Sequence, residues 1–389
     1  MFKRLLKLKL PNRKSAFLWG ARQTGKSTYL KACFPKATWY DLLKSDVHAR
    51  LEKNPHHLRE EILAFTPEQI KHPIIIDEIQ KVPTLLNEVH WLIENTNAQF
   101  ILCGSSARKL KRLGTNLLGG RALRYHFYPL THAEIPQFDL LRALNNGLIP
   151  SHYQSDDVNL LLESYVIDYL NFEIREEGLV RNIPDFSRFL DSVAFSNAEM
   201  VNFSNIARDC AVSAKTVENY YQILVDTLLG YFLPPYHKKI KRDIISKMPK
   251  FYLFDVGVVN YLAKRPITEL RGNITGKAFE HFIFMELIAY NGLYKKRCDI
   301  TYWRTKTGLE VDFVLGAAEI AIEVKISHAV HKEDLSGLIA FCEEHHPQKA
   351  IVVSLDAAPR LLQVSDQMTI HILPWRCFLK MLWKDEILQ

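Results

Sequence analysis

The 389-residue chain has no run of roughly 18 apolar residues, so no membrane-spanning helix is expected. It also lacks paired cysteines. The six (33, 103, 210, 298, 342 and 377) are scattered without a C-x-x-C pair. That argues against a disulfide framework or a zinc ribbon and fits reduced thiols in a cytoplasmic protein. No internal repeat or low-complexity tract is present, which excludes solenoids and collagen-like rods. The basic start, Met1–Leu10, places charges between its apolar residues and so has no continuous apolar segment of a secretory signal. It reads as a lead-in packed on the first domain. An acidic excess is missing too: 50 Lys and Arg against 43 Asp and Glu give a net charge of +7. Such mild basicity is compatible with a nucleic-acid partner. With 48% hydrophobic and 24% charged residues, there is ample core for two or three domains.

What is present begins with Ala16-Phe-Leu-Trp-Gly-Ala-Arg-Gln-Thr-Gly-Lys-Ser-Thr-Tyr-Leu30. It reads as a buried strand, a glycine-bounded loop and the start of a helix. Gly20 to Ser27 fits G-x-x-x-x-G-K-[ST], the P-loop pattern. Gly20 and Gly25 let backbone N–H groups curl round a phosphate, and the helix directs its positive end at it. Lys26 is suited to reach the β and γ phosphates, and Ser27 to offer its hydroxyl to Mg²⁺. The expected nucleotide-binding set is Gly20, Ala21, Arg22, Gln23, Thr24, Gly25, Lys26, Ser27 and Thr28, with ATP and Mg²⁺ as ligands.

Thr38–Asp41 reads as a second strand, and a polar, helix-compatible stretch follows to about Gln69. His72-Pro-Ile-Ile-Ile-Asp-Glu-Ile79 then describes a fully buried strand with two acids at its tip, where ligands bind in open α/β sheets. Asp77 suits the magnesium and Glu78 the activation of a water. Gln99–Ser106 is another apolar strand with a polar tip. Ser105 or Ser106 stands where a γ-phosphate sensor would be, and Ser106 also suits a helix N-cap. Leu117-Leu-Gly-Gly-Arg-Ala122 precedes the strand Leu123–Leu130. Arg121 is the candidate to reach a phosphate, including a neighbouring subunit's, with Arg108 and Arg124 as rivals.

Gly20–Ser27, Ile76-Asp-Glu-Ile-Gln80, Gly104-Ser-Ser106 and Gly119-Gly-Arg121 together resemble the motifs of the AAA+ ATPases. The resemblance spans essentially the whole chain and points to the prokaryotic subgroup carrying a C-terminal domain of unknown function related to PD-(D/E)XK nucleases. It implies an α/β fold with a five-stranded parallel core of order 5-1-4-3-2, a helical lid at about 131–190, and a homo-oligomeric ring such as a hexamer. Relatives often carry Leu-Ala-Gly-Arg at the arginine motif, where this chain has Leu-Gly-Gly-Arg.

Met200–Leu224 has helix-turn-helix spacing. Ser204 is expected to cap a first helix, Ala211-Val-Ser213 to make the turn, and Val217, Tyr220 or Tyr221, and Leu224 to face inward on a second. Thr227–Pro235 suggests a strand into a wing, made basic by His237-Lys-Lys-Ile-Lys-Arg242 with Lys247 and Lys250. Lys215, Asn219, Lys238 and Lys239 are then candidates for phosphate contact, giving little sequence specificity.

Lys250–Gly257 resembles a linker motif of the same subgroup. Beyond it come an amphipathic helix, Ile274–Ile288, and the strands Ile300–Arg304, Leu309–Leu315 and Glu319–Ile326, the last two a hairpin turning at Gly316. Asp312 sits mid-strand, and Glu323 and Lys325 share a face of the next strand. A carboxylate, ten residues, then Glu-x-Lys is the PD-(D/E)XK arrangement. Asp312 and Glu323, joined by Glu280 from the helix, would hold a second divalent ion, with Lys325 steadying the transition state. A structural Lys325–Glu323–Asp312 ion cluster is the alternative. His345 and His346 read as a solvated helix end.

The expected domains are a P-loop core (1–130), a helical lid (131–190), a winged helix (191–250) and a nuclease-like domain (251–389). The expected function is an ATPase that remodels DNA, with a metal-dependent nuclease site. Two other readings remain: a nucleotide switch binding a protein partner, and a nuclease gated by ATP.

Overall fold

The structure, a computed structural model, describes residues 2–11, 13–106, 108, 118–170, 182–237, 248–366 and 368–388. It divides into two compact units, Met1–Leu130 with Asp226–Leu229, and Thr131–Val225 with Gly230–Gln389.

The first unit is built on five parallel strands: β1 (Ser15–Trp19), β2 (Thr38–Asp41), β3 (Ile74–Asp77), β4 (Phe100–Gly104) and β5 (Ala122–His126). Their order, β2-β3-β4-β1-β5, is the expected 5-1-4-3-2 read from the other edge. A parallel sheet must be covered on both faces, and β1, β3 and β4 are accordingly buried throughout. Phe17, Trp19, Ile74, Ile76, Phe100 and Leu102 share one face. Leu51, Leu58, Leu86, Val89 and Leu92 cover it, from the helices Ser45–Lys53, His56–Leu63 and Leu85–Asn95. Each such side chain contributes about 1.5–3 kcal/mol on burial. Because the strands run one way, their C-terminal ends share one edge. The pairs Asp41–Asp77, Asp77–Cys103 and Trp19–Gly104 fix that edge in register. The lead-in is tied down beside it: Leu6 is buried, and its carbonyl accepts the Tyr29 hydroxyl at 2.8 Å.

In the second unit, the helices Leu140–Asn146, Pro150–Gln154, Val158–Ser164 and Ile183–Phe195 group with the C-terminal half of the chain. The helices Phe203–Cys210 and Ala214–Asp226 follow, joined through Ala211 in the left-handed region at φ 57°. Val217, Tyr220, Tyr221 and Leu224 are buried. Asn202, not Ser204, caps the first of these helices. Its side chain accepts the N–H groups of Ser204 and Asn205 at 3.1 Å, because an N-cap must stand outside the helix it closes. The strands β6 (Gly230–Leu233) and β7 (Lys250–Leu253) then pair antiparallel. Lys238, Lys239 and Lys247 of the expected wing lie outside the described residues.

The last part of the unit holds a six-stranded sheet, β12-β13-β11-β10-β9-β8. Its strands are β8 (Ile300–Arg304), β9 (Glu310–Leu315), β10 (Ile320–Val324), β11 (Lys349–Ser354), β12 (Arg360–Ser365) and β13 (Met368–Pro374). β8, β9 and β10 form an antiparallel meander, and β11 runs parallel to β10 beyond the helix Ser336–His345. The preceding helix runs Gly272–Tyr294, a turn and a half past its expected end. Gly292 does not break it because Tyr290 and Tyr294 pack on Trp383. β12 was not legible as a strand: it is an exposed edge with only a half-buried alternate row. His345 is corrected from its solvated reading. Its side chain is 1% exposed, packed on Phe341, Trp303 and Tyr236. Among the described residues, no helix is long and apolar enough to cross a membrane.

Candidate functional site

The Gly20–Gly25 loop leaves β1 at the C-terminal edge and enters the helix Lys26–Cys33 (α1). Gln23 and Gly25 take left-handed conformations, φ 60° and 95°, which curl the loop. Thr24 is fully buried and its hydroxyl donates to Ala21 O at 2.8 Å. Arg4 braces the loop from the lead-in, donating to Thr24 O at 2.7 Å while stacking on Phe127. Arg22 is half-buried, and Gln23 and Thr28 are exposed. Gly20 has no room for a side chain: a Cβ would stand 2.3 Å from Phe127 O. Gly20→Ala is therefore expected to cost about 1–3 kcal/mol of stability, read as a lowered urea midpoint, because backbone cannot yield as a side chain does.

Lys26 is 6% exposed, and its ammonium donates to Gly20 O at 2.8 Å and Ala21 O at 2.9 Å. Burial lowers its pKa, against Glu78, Cys103 and Asp77. The Ser27 hydroxyl donates to Asp77 Oδ2 at 2.8 Å. Asp77 Oδ1 accepts the Glu78 N–H at 3.2 Å and faces the Cys103 thiol at 3.1 Å. A hydroxyl and a carboxylate side by side at the foot of a phosphate cradle are hard oxygen donors that suit Mg²⁺.

Glu78 is buried and left-handed at φ 57°, which turns its carboxylate out of the strand. Its Oε2 accepts Gln80 Nε2 and, at 3.3 Å, the Ser105 hydroxyl; Gln80 Nε2 also lies 3.2 Å from Ser105 Oγ. Gly104 makes room for this, since a Cβ there would stand 2.1 Å from Gln80 Oε1. Ser106 Oγ accepts the Arg108 N–H at 3.2 Å, as a capping hydroxyl does. Gln80 is the functional-site residue that sequence reasoning missed. It stands in the quoted Asp-Glu-Ile-Gln run, but nothing local shows that its side chain turns back on Glu78.

Arg121 is elsewhere. It precedes β5, and the register Ser15–Ala122 puts it at the N-terminal edge of the sheet. At about 3.3 Å per residue, that edge is about 20 Å from Gly20, beyond the reach of an arginine side chain. It pairs with exposed Glu94. Of its rivals, Arg108 pairs with Asp226 at 3.1 Å and Arg124 is exposed on β5.

In the second unit, Asp312 and Glu323 face each other from β9 and β10, 9% and 7% exposed. Asp312 Oδ2 accepts the Val324 N–H at 2.8 Å. Glu323 Oε1 pairs with Lys325 Nζ at 2.8 Å, whereas Oε2 is buried without a hydrogen-bond partner. Burial, then Glu323 and Glu280, pushes the Asp312 pKa well above the usual carboxylate range. Glu323 is raised by burial against the pull of Lys325. Glu280 instead accepts Lys250 Nζ at 3.0 Å and the Tyr252 hydroxyl at 2.5 Å. Lys250 is thus corrected from an exposed wing residue to a buried one, 3% exposed. Burial alone would lower its pKa, but Glu280, Tyr252, Glu310 and Asp312 outweigh it and lift it well above the usual lysine range. Elsewhere in this unit, Lys215 and Asn219 are exposed, Lys215 pairing with Glu218 at 2.8 Å.

Among the described residues, one group places three His or acidic ligand atoms within 4.8 Å of one another: His56, His57 and Glu60. They open the helix His56–Leu63, whose positive end opposes a cation.

Three family models match the chain in sequence. Residues 12–136 match an AAA domain, residues 138–269 a domain of unknown function (DUF8612), and residues 275–378 another domain of unknown function (DUF4143). No curated protein matches. Among solved structures, the chain is distantly similar to Aeropyrum pernix ORC1 in complex with DNA, at 13% identity and TM-score 0.25, over 65% of this chain and 87% of that one. It is similar to AMPPCP-bound DnaA from Aquifex aeolicus at 13% identity and TM-score 0.29, over 57% and 84%. Drosophila ORC bound to GC-rich DNA and Cdc6 follows at 12% identity and TM-score 0.21, over 64% and 85%. Sheet order, phosphate cradle and family match agree that the N-terminal unit is a P-loop domain of the AAA type.

Proposed function

We propose that the chain is an AAA+-type ATPase that couples ATP hydrolysis to the binding and remodelling of DNA. The observation that carries the ATPase reading is the 2.8 Å bond from Ser27 Oγ to Asp77 Oδ2, with Glu78 next in line at the same edge. The backbone N–H groups of Gly20–Ser27 would hold the β and γ phosphates at the positive end of α1. Lys26 would leave the Gly20 and Ala21 carbonyls for the phosphate oxygens, regaining a charged partner in a buried place. Bound Mg²⁺ would offset the charge on those oxygens, held by Ser27 and Asp77. Glu78 would take the proton of the attacking water at Oε1, the oxygen not held by Gln80 and Ser105. Ser105 would shift its hydroxyl from Glu78 to the γ-phosphate as sensor. Arg121 would act on a neighbouring subunit's nucleotide, which requires a homo-oligomer, with a ring as its closed form.

The DNA reading rests on charge. The stretch 238–247 holds five cations against one acid, the chain carries +7, and Lys215 and Asn219 are exposed on the second helix of the helix-turn-helix. A second activity, divalent-ion-dependent strand cleavage at Asp312, Glu323 and Lys325 in a PD-(D/E)XK-like domain, is favoured by the unpartnered Glu323 Oε2, an atom a metal would satisfy. One experiment tests both: ATPase rate with single-stranded, duplex and branched DNA, with Mn²⁺ present and products run on a gel. Stimulation by at least one form, with salt-sensitive binding, is expected. No stimulation and no binding would favour the protein-partner switch. Cleavage that persists in Lys325→Ala would reject the nuclease site.

A further inference from the structure

Four carboxylates meet at the C-terminal sheet, Glu310, Asp312 and Glu323 from its strands and Glu280 from the helix Gly272–Tyr294, but their partners differ. Lys250 Nζ stands 3.0 Å from Glu280 Oε1 and 2.6 Å from Glu310 Oε1. Tyr252 donates to the same Glu280 oxygen at 2.5 Å, and Arg304 donates to Glu310 Oε2 at 2.7 Å. The charge on these two acids is met by the chain itself. Asp312 and Glu323 have fewer donors. Asp312 Oδ2 takes one backbone N–H, and Glu323 meets Lys325 through Oε1 alone, its Oε2 buried with no hydrogen-bond partner. Among the described residues, Glu280, Asp312 and Glu323 do not bring three ligand oxygens within 4.8 Å of one another.

A buried ammonium between two carboxylates is hard to dislodge, because each partner lost leaves its charge less well compensated in a low-dielectric place. A metal ion that recruited Glu280 would leave Lys250 with Glu310 alone, a carboxylate it already shares with Arg304. Lys250 also comes from outside the sheet: it opens β7, which pairs with β6 in a separate two-stranded ribbon.

Resting on the reading of Asp312 and Glu323 as a cation site, we propose that Lys250 is the resident cation of this cluster. It holds Glu280 and Glu310 away from metal, so a single hard divalent ion is bound by Asp312 and Glu323 alone. The third carboxylate that spacing suggested, Glu280, is then a partner of Lys250 and not a metal ligand.

The test is Mn²⁺ titration of the nucleotide-free full-length chain, followed by the electron paramagnetic resonance signal of the free ion. A Ser27→Ala, Asp77→Asn background silences the P-loop. Asp312→Asn and Glu323→Gln are expected to weaken binding by about tenfold or more, as loss of a ligand does, and Glu280→Gln to change it by less than about twofold. Lys250→Met should tighten binding by about tenfold, a gain that Lys250→Met with Glu280→Gln loses again. A tenfold loss in Glu280→Gln, or no gain in Lys250→Met, overturns the proposal. If Lys250→Met does not fold, the near-isosteric Glu280→Gln decides. If the starting chain shows no Mn²⁺ binding sensitive to Asp312→Asn, the cation-site reading fails. Lys250→Met still decides the role of the lysine: a new site there supports it, and none refutes it.

Discussion

Glu78→Gln should lower the ATPase kcat by about 10²–10⁴-fold, the range that a positioned general base supplies, while leaving ATP bound. The substitution keeps the size of the side chain and the left-handed backbone at φ 57°, so the turn that aims it survives. What it removes is the basic oxygen. In the wild-type arrangement Oε2 is committed to donors, the Gln80 amide and the Ser105 hydroxyl, which leaves Oε1 to accept the proton in the proposed reaction. A glutamine presents an amide nitrogen or a weakly basic carbonyl there, and neither takes a proton from water near neutral pH. The hydrogen bonds of the cradle are untouched, since Lys26, Ser27 and Asp77 make them without Glu78 side-chain atoms. Equilibrium binding of labelled ATP should therefore be unchanged, and single-turnover hydrolysis should fall. Turnover at the wild-type rate would remove Glu78 from the reaction.

The same geometry explains which parts of the chain can be read before folding. Gly20–Ser27 is one contiguous stretch, so loop, helix start and phosphate chemistry announce themselves together. Asp77 and Glu78 end a run of three isoleucines, and a wholly apolar strand after a P-loop reads as a central strand of a covered parallel sheet, whose C-terminal edge is then the expected site. The order of the strands came from resemblance, because periodicity does not tell neighbours apart. Gln80 and Lys250 escaped because their partners are set by tertiary approach. Gln80 turns back across Gly104 to meet Ser105, 25 residues on. Lys250 follows a run of basic residues and by charge alone belongs with them. Only the packing of β7 against the helix Gly272–Tyr294, seen in Tyr252 stacked on Phe284 at 4.2 Å, draws it inside. β12 escaped for the opposite reason: its exposed faces carry little pattern to read.

Arg121→Ala should reduce ATP hydrolysis by about 10³-fold or more in the assembled protein, the effect associated with an arginine supplied across an interface. Its position forces the mode of action. Arg121 lies at the N-terminal edge of the sheet, whereas Gly20, Asp77, Glu78 and Ser105 lie at the C-terminal edge. With the full length of a strand between them, Arg121 cannot contact the nucleotide of its own chain. Its pairing with Glu94 is exposed and screened by solvent, so a phosphate on a neighbouring chain can displace it. Two consequences separate this from a surface arginine in a turn. Specific activity should rise with protein concentration as subunits assemble. Arg121→Ala and Glu78→Gln chains, each inactive alone, should regain activity when mixed, because some interfaces then join an intact Glu78 to an intact Arg121. An inactive mixture would indicate that Arg121 acts within its own chain, against the geometry. An Arg121→Ala chain that hydrolyses ATP normally would show that the finger lies elsewhere, with Arg124 on the exposed row of β5 the next residue to replace.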